Sequence, residues 1–216
     1  LDMESIKRNY YTTYNYKKDI LRCFSNTGQE KRFHSNSYIN LEDIYEDYLF
    51  IILDGKVKQY LLNHDGQEKT IFLLSQGDIF GEIAIAQQNY DFVITKVLEP
   101  TLISKVNKKT FFKVVKQDPE ILNPLFQMLT SKVKTLTEQI HDASFYSCDD
   151  RLFSLLTRLS VQYGQRTNKG VKINIKLTHQ ELANMICCTR STVTRSLKKL
   201  ENEGKIYRDG KYIFVL

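Results

Sequence analysis

The sequence predicts an α+β protein with an N-terminal antiparallel β-barrel or jelly roll, a long single helix, and a C-terminal helical domain that ends in a β-hairpin. Short β runs separated by Gly and Asp turns fill residues 33–106. One narrow apolar stripe continues over residues 122–143, and residues 177–206 contain two capped helices with a tight turn between them. The predicted domains are residues 1–117, 118–146 and 147–216.

The charge is unevenly distributed along the 216 residues, a length sufficient for two domains of ordinary size. Residues 147–216 contain 13 Lys and Arg against 6 Asp and Glu, whereas residues 1–146 contain 18 against 19. The positive last third favours a polyanionic partner such as DNA. No apolar run approaches the ~20 residues that cross a bilayer, and the N-terminus lacks a signal-peptide core. We therefore expect a cytoplasmic protein with no membrane partner.

The sequence pattern of the N-terminal region changes at Phe33. Residues 1–32 are polar and rich in tyrosine, with a helix expected near residues 16–24. The chain then alternates short β runs with turns such as Asp54-Gly55, as in an antiparallel barrel or jelly roll. The predicted strands cover residues 48–53, 56–62, 69–74, 79–80, 92–97 and 101–106.

A long helix is predicted from Asp118, after a short one at residues 110–116, because Pro119 suits the first turn of a helix. Its apolar residues recur at gaps of four and three, the spacing of a coiled-coil seam. These residues are Leu122, Phe126, Leu129, Val133, Leu136 and Ile140. So narrow a stripe predicts a partner helix and hence a homodimer. The alternative is that the stripe packs against the barrel of its own chain.

The third domain is expected to begin with a hinge at residues 145–150, a helix at residues 151–163 and a polar loop at residues 164–170. The first helix of the next pair then starts at Thr178, a good N-cap, with Glu181 three residues on to complete a capping box. Its inward stripe is Leu182, Ala183 and Ile186.

The second helix of this pair is capped by Thr189 and stopped by Gly204, and its inward positions are Val193, Leu197 and Leu200. Its outward face is rich in basic and hydroxyl side chains, which suit base edges and phosphates in a major groove. The outward residues are Arg190, Ser191, Thr192, Thr194, Arg195, Lys198 and Lys199. The alternative to a DNA-binding motif is a solvated amphipathic helix pair of no special function.

Residues 205–216 form two β runs around Asp209-Gly210, a strong hairpin signal. A helix-turn-helix followed by a hairpin is a winged helix-turn-helix, and residues 177–206 resemble the DNA-binding motif of the Crp/Fnr superfamily of bacterial transcription regulators. The barrel fits as well, because residues 53–58 and 77–82 resemble the LxGxVK and GDxFGE signatures of the cyclic-nucleotide-binding domain. The resemblance implies a dimerisation helix at residues 118–146, RNA polymerase as a protein partner, and no enzymatic activity; we find no catalytic constellation and no metal-ligand cluster.

By the same resemblance, Arg190 and Arg195 read bases, and Thr189 and Gln180 contact phosphates. Many cyclic-AMP-responsive members carry a glutamate between the two arginines, where this chain has Ser191. That change predicts a different half-site preference. The segments at residues 170–183 and 190–195 are closer to the NtcA-like nitrogen regulators of cyanobacteria, so the chain could also be encoded in a plastid and work in its stroma.

The effector site of the family is only partly present. Gly81 and Glu82 match its signature, but the arginine that pairs with the cyclic phosphate falls at Asp91, and residues 83–95 contain no Lys or Arg. A buried phosphate without a cationic partner is very costly, so we predict that cyclic AMP is not the effector. Gly81 and Glu82 could be retained as scaffold, with Glu82 capping the next helix, or the barrel could bind another small molecule. The protein could equally be constitutively active.

By family alignment, Lys132, Leu136 and Thr137 lie nearest to the effector pocket; no cofactor is predicted. The cysteines at positions 23, 148, 187 and 188 form no CxxC or zinc spacing, so we expect reduced thiols. A single N-terminal cysteine excludes the iron–sulfur cluster of anaerobic members.

Cys187 and Cys188 are interpreted as small apolar residues filling a buried turn. The alternative is a redox sensor in which their oxidation distorts the turn and releases DNA. Cys187 also stands where the family usually has glycine. A left-handed backbone there would cost about 1 kcal/mol, unless the turn itself is altered.

Overall fold

The computed structural model describes residues 16–24, 26–39, 48–87 and 93–216. The chain divides into two compact units, one ending at Lys134 and the other beginning at Thr135. Within the described ranges, no helix is long and apolar enough to cross a membrane.

The first unit is a two-sheet β structure flanked by helices. One sheet has its described strands in the order β1–β8–β3–β6 and the other in the order β2–β7–β4–β5, with antiparallel pairing throughout. The elements in chain order are α1 (Tyr16–Phe24), β1 (Gln29–Phe33), β2 (Tyr38–Ile39), β3 (Tyr48–Asp54), β4 (Lys56–Leu62), β5 (Glu68–Ser75), β6 (Ile79–Phe80), α2 (Glu82–Gln87), β7 (Ile94–Val97), β8 (Thr101–Asn107) and α3 (Lys108–Gln117). The predicted antiparallel β structure is confirmed, and the six predicted strands are present with ends within two residues of expectation. Strands β1 and β2 were not predicted.

Strand β3 separates the two hydrophobic cores of this unit. Successive side chains of a strand point to opposite faces, so a strand buried on both faces is apolar throughout. Phe50 and Ile52 pack in a cluster with residues of β4 and β7 from the second sheet. Leu49 and Ile51 pack in the other cluster, with α1 and the start of the long helix.

The long helix α4 (Leu122–Phe145) begins later than predicted. Pro119 starts a single 3-10 turn, Pro119–Ile121, and the α-helix follows it. The first unit's core buries Ile121 of the 3-10 turn and Leu125 and Met128 of α4. The six seam residues all remain exposed in the single chain, by 37% to 68%. The buried face is therefore distinct from the predicted seam, and the partner helix stays a prediction.

The second unit contains a three-helix layer and a small antiparallel sheet whose described strands run in the order β11–β12–β10–β9. Its elements after α4 are α5 (Cys148–Tyr163), β9 (Gly164–Thr167), β10 (Gly170–Ile173), α6 (His179–Ile186), α7 (Arg190–Asn202), β11 (Ile206–Asp209) and β12 (Tyr212–Val215). The predicted C-terminal hairpin is confirmed. Strand β12 also pairs with β10, which extends the wing beyond two strands.

Two local predictions in this unit are wrong. Residues 164–170 are not only a loop, because β9 pairs with β10. All four residues of β9 are exposed, so its sequence carries no alternation that could have revealed the strand. Helix α5 begins at Cys148, three residues earlier than predicted, because the side chain of Ser147 accepts from the Asp150 amide as N-cap.

Candidate nucleic-acid interface

Helix α6 has the predicted N-terminal capping box and the predicted buried stripe. Thr178 caps the helix: its amide donates to Glu181 Oε2 at 2.7 Å, and its Oγ1 accepts from the Glu181 amide at 3.2 Å. Leu182, Ala183 and Ile186 are buried, as expected. Cys187 ends the helix with φ 54° and ψ 51°. The turn thus keeps its left-handed conformation, and the cysteine carries the strain that glycine would avoid.

The predicted reduced state is wrong for two of the four cysteines, while Cys23 and Cys187 are free thiols. Cys188 forms a disulfide with Cys148 across a separation of 40 residues, joining the start of α5 to the turn before α7. Cys187 is a free, exposed thiol and does not fill a buried turn. The spacing 148–188 could not reveal this pair, because the fold of three helices brings the two positions together.

Helix α7 presents one side to solvent. Val193, Leu197 and Leu200 are almost completely buried, as predicted. Six of the predicted outward residues are exposed: Arg190, Ser191, Thr194, Arg195, Lys198 and Lys199. Thr189 caps the helix by accepting from the Thr192 amide at 3.2 Å. The structure therefore brings two arginines, two lysines and two hydroxyls together on the outward side.

Several of the residues predicted to face outward, Ser191 among them, also have side-chain partners within this unit. Thr192 is half-buried, and its hydroxyl lies 2.9 Å from the Thr189 hydroxyl at the cap. Lys199 Nζ lies 2.6 Å from Asp149 Oδ2. The other carboxylate oxygen of Asp149 accepts from the buried Ser196 hydroxyl. The bond from Lys199, followed by that from Ser196, lowers the pKa of Asp149 below its usual range.

The predicted phosphate contacts lie at the exposed ends of α6 and α7. Gln180 is exposed in the first turn of α6, where its Nε2 donates to Asn184 Oδ1 at 2.8 Å. Sequence reasoning missed its neighbour His179. The Nδ1 atom of His179 lies 2.8 Å from Thr194 Oγ1 and so links α6 directly to the exposed face of α7. A polar residue after an N-cap gives no sequence signal for such a contact.

The effector-site signature of the first unit contains an internal ion pair. Gly81 has φ +85°, and a Cβ there would lie 2.7 Å from Tyr48 O, so only glycine fits. Glu82 stands in the first turn of α2, but its Oε1 bonds Lys132 Nζ at 2.7 Å instead of capping the helix. Lys132 Nζ also donates to Ile79 O at 2.9 Å. Glu82 Oε2 is buried with no hydrogen-bond partner among the described residues.

The other predicted effector residues stay predictions. Leu136 and Thr137 belong to the second unit and are exposed there. Asp91, the position expected to hold the cassette arginine, lies outside the described residues.

Two family models match the chain. A Crp-like helix-turn-helix domain matches residues 150–216, and a cyclic nucleotide-binding domain matches residues 30–118. The first match includes the exposed face of α7, and the second includes Glu82 but not Lys132.

Relatives align over most of the chain. The cAMP-activated global transcriptional regulator CRP of Pasteurella multocida is 30% identical over 168 residues, covering 77% of this chain and 80% of the relative. The anaerobic regulatory protein of Bacillus subtilis is 26% identical over 198 residues, covering 90% of this chain and 83% of the relative.

Solved structures share the fold. A CooA mutant from Carboxydothermus hydrogenoformans superposes with a TM-score of 0.77 at 22% identity, covering 91% of this chain and 85% of the other. The c-di-GMP responsive global regulator CLP of Xanthomonas campestris gives 0.74 at 18% identity, covering 92% and 98%.

Proposed function

Because the chain belongs to the Crp/Fnr family of DNA-binding transcription regulators, we propose that two copies bind a palindromic site on duplex DNA. Each α7 enters one of two successive major grooves, with half-sites about one helical turn apart. The observation that supports this most strongly is the face of α7. It exposes Arg190, Arg195 and Lys198 on a capped helix whose opposite side is buried.

Within this face the residues take different roles. Arg190 and Arg195 have the planar donors that bond guanine O6 and N7 in pairs, so they read sequence. Lys198, Gln180 and the Thr189 hydroxyl contact phosphates and fix the register. Ser191 contacts bases without the carboxylate that would accept from cytosine, and Thr194 lines the same groove. Thr192 supports the cap through its contact with Thr189.

The second copy covers the seam of α4. Monomers rarely expose a continuous row of large apolar side chains, and such a row marks an interaction surface. Phe126, Val133 and Ile140 are 67%, 62% and 68% exposed in the single chain. The same helix buries a separate row in the first unit's core, so the exposed row is a second apolar face of α4. Heptad spacing of the exposed row fits an identical helix related by a two-fold axis.

The barrel of this chain does not bind cyclic AMP in our proposal. The glutamate that would take a ribose hydroxyl is bonded by Lys132, and residues 83–95 supply no cation for the cyclic phosphate. Related regulators are named as cAMP-activated and c-di-GMP responsive, so the fold accommodates different effectors. Cyclic AMP should leave the melting temperature of the protein unchanged in a thermal-shift assay; a saturable increase would refute this part.

The decisive experiment is selection of bound duplexes from a random library, with and without candidate metabolites. A palindrome with two half-sites is expected. Replacing Arg195 by Ala should weaken binding to that site by ~1–3 kcal/mol per half-site while leaving the fold intact. Unchanged affinity of this variant would contradict the role of Arg195. Contact with RNA polymerase is tested on the same operator by co-binding of the polymerase.

Redox regulation is a second candidate, favoured by the Cys148–Cys188 bond. A low-molecular-weight disulfide accepts two electrons from the two thiols and leaves as two thiols that carry the two protons. The Cys148–Cys188 bond holds the start of α5 against the turn that sets the orientation of α7. We therefore expect the oxidised form to be the one that binds DNA.

This assignment replaces the vicinal pair Cys187–Cys188 considered from the sequence. Reduction, or replacement of Cys148 by Ser, should weaken operator binding, whereas Cys23→Ser should not. Affinity that is unchanged by both reduction and Cys148→Ser would remove redox control.

A further inference from the structure

We propose that His179 is a phosphate ligand at the DNA interface, and that its protonation makes DNA affinity depend on pH. This inference rests on the proposed binding of α7 in the major groove. His179 is the first residue of α6, and its imidazole touches Thr194, which lies on the same exposed face as Arg190 and Arg195. Its ring therefore stands where the two helices meet on the surface assigned to DNA.

The hydrogen bonds around Thr194 favour one tautomer of the neutral imidazole. The Thr194 hydroxyl donates to the Arg190 carbonyl oxygen at 3.0 Å. A hydroxyl has one hydrogen, so only its lone pairs remain for His179 Nδ1 at 2.8 Å. We assign the proton of the neutral ring to Nδ1. Nε2 is then an acceptor in the neutral ring and a donor in the imidazolium, so only the protonated ring can donate from Nε2 to a phosphate oxygen.

The charged groups near His179 favour the neutral ring in the free protein. Burial, and then the charges of Arg208 on β11 and Arg190 on α7, lower the pKa of His179. The carboxylates nearby are already engaged: Glu181 on α6 bonds Thr178, and Glu201 on α7 bonds Arg208.

Helix α5 also packs against α6. Its Arg151 bonds Ile186 O at the far end of α6 from His179. No acidic contact from α5 to the ring is present among the described residues.

A DNA phosphate placed beside His179, Arg190 and Arg208 favours the protonated ring over the neutral one. It neutralises the repulsion from Arg190 and Arg208 and stabilises the imidazolium, so the pKa of His179 rises in the complex. Binding then takes up a proton. The gain in affinity is complete below the pKa of the free protein and is lost as the pH rises through the pKa of the complex. Each pKa unit of difference corresponds to a factor of about ten in affinity per subunit.

The test measures binding of the full-length protein to a fluorescent duplex carrying its selected palindrome, from pH 5.5 to 8.5 at constant ionic strength. Wild-type affinity should fall at least about tenfold over this range. The variant His179→Gln keeps hydrogen-bonding capacity without titrating and should bind with a flat pH profile. His179→Arg should bind at high pH as tightly as the wild type does at low pH. The exposed His64, in the turn after β4, provides the matched control: His64→Gln should keep the wild-type profile.

The outcomes separate this inference from the function on which it rests. A flat wild-type profile, or a pH dependence that persists in His179→Gln, overturns the role of His179 and leaves DNA binding intact. Failure of the wild type to bind any selected duplex at any pH overturns the proposed function itself, and this inference with it. A histidine that only steadies Thr194 would lower affinity equally at all pH values when replaced, which would also refute the proposal.

Discussion

Replacing Lys132 by Met tests whether the Glu82–Lys132 pair stabilises the fold of the first unit. Methionine keeps the aliphatic stem but removes the bonds from Nζ to Glu82 at 2.7 Å and to Ile79 O at 2.9 Å. Breaking a fully buried pair costs about 3–5 kcal/mol, and an exposed pair contributes about 0–1 kcal/mol. The two side chains are 12% and 24% exposed, which places the pair between these limits. We expect the free energy of unfolding to fall by about 2 kcal/mol.

Urea denaturation of Lys132→Met, Glu82→Gln and the double variant measures this effect. If the pair acts as one unit, Glu82→Gln should recover part of the loss, with a coupling energy of at least about 1 kcal/mol. The control is Lys113→Met on the exposed side of α3, which should change stability by less than about 0.5 kcal/mol. If the two single substitutions have additive effects on stability, or if Lys132→Met is as stable as the wild type, the Glu82–Lys132 pair does not stabilise the fold as one unit.

Three further substitutions test other parts of the molecule. Leu129→Asp should convert the proposed dimer to a monomer in light scattering, because it places a charge in the apolar seam. Gln127→Asp on the same helix should leave the molecular mass unchanged. A monomeric wild type would refute the proposed dimer. Cys187→Gly should raise the free energy of unfolding by at most about 1 kcal/mol in urea titrations, because it relieves the left-handed strain at some cost in chain entropy; a loss would show that the thiol has packing contacts. Asp149→Asn should lower stability at neutral pH by about 1 kcal/mol. Since its pKa is lowered in the folded protein, this contribution is present above the ordinary carboxyl pKa and lost as the pH falls through the folded value, so the variant's stability deficit should vanish in acid.

The sequence by itself determined those features that depend on local chemistry. The capping box of Thr178 and Glu181, the buried stripe of α7 and the turn glycines each involve residues within four or five positions of one another. Local hydrogen bonding and helical periodicity therefore predict them. The continuous apolar run of β3 and the narrow apolar stripe of α4 were predictable for the same reason.

Tertiary structure alone decided which distant side chains meet. The Cys148–Cys188 bond, the Lys199–Asp149 pair and the contact of Lys132 with Glu82 join residues 40 to 50 positions apart. Which of many charged or thiol groups become neighbours depends on how helices and strands pack, and packing distances are not encoded in local periodicity. The same holds for His179, because the turn at Cys187 brings Thr194 within 2.8 Å of its imidazole and so makes the proposed role possible.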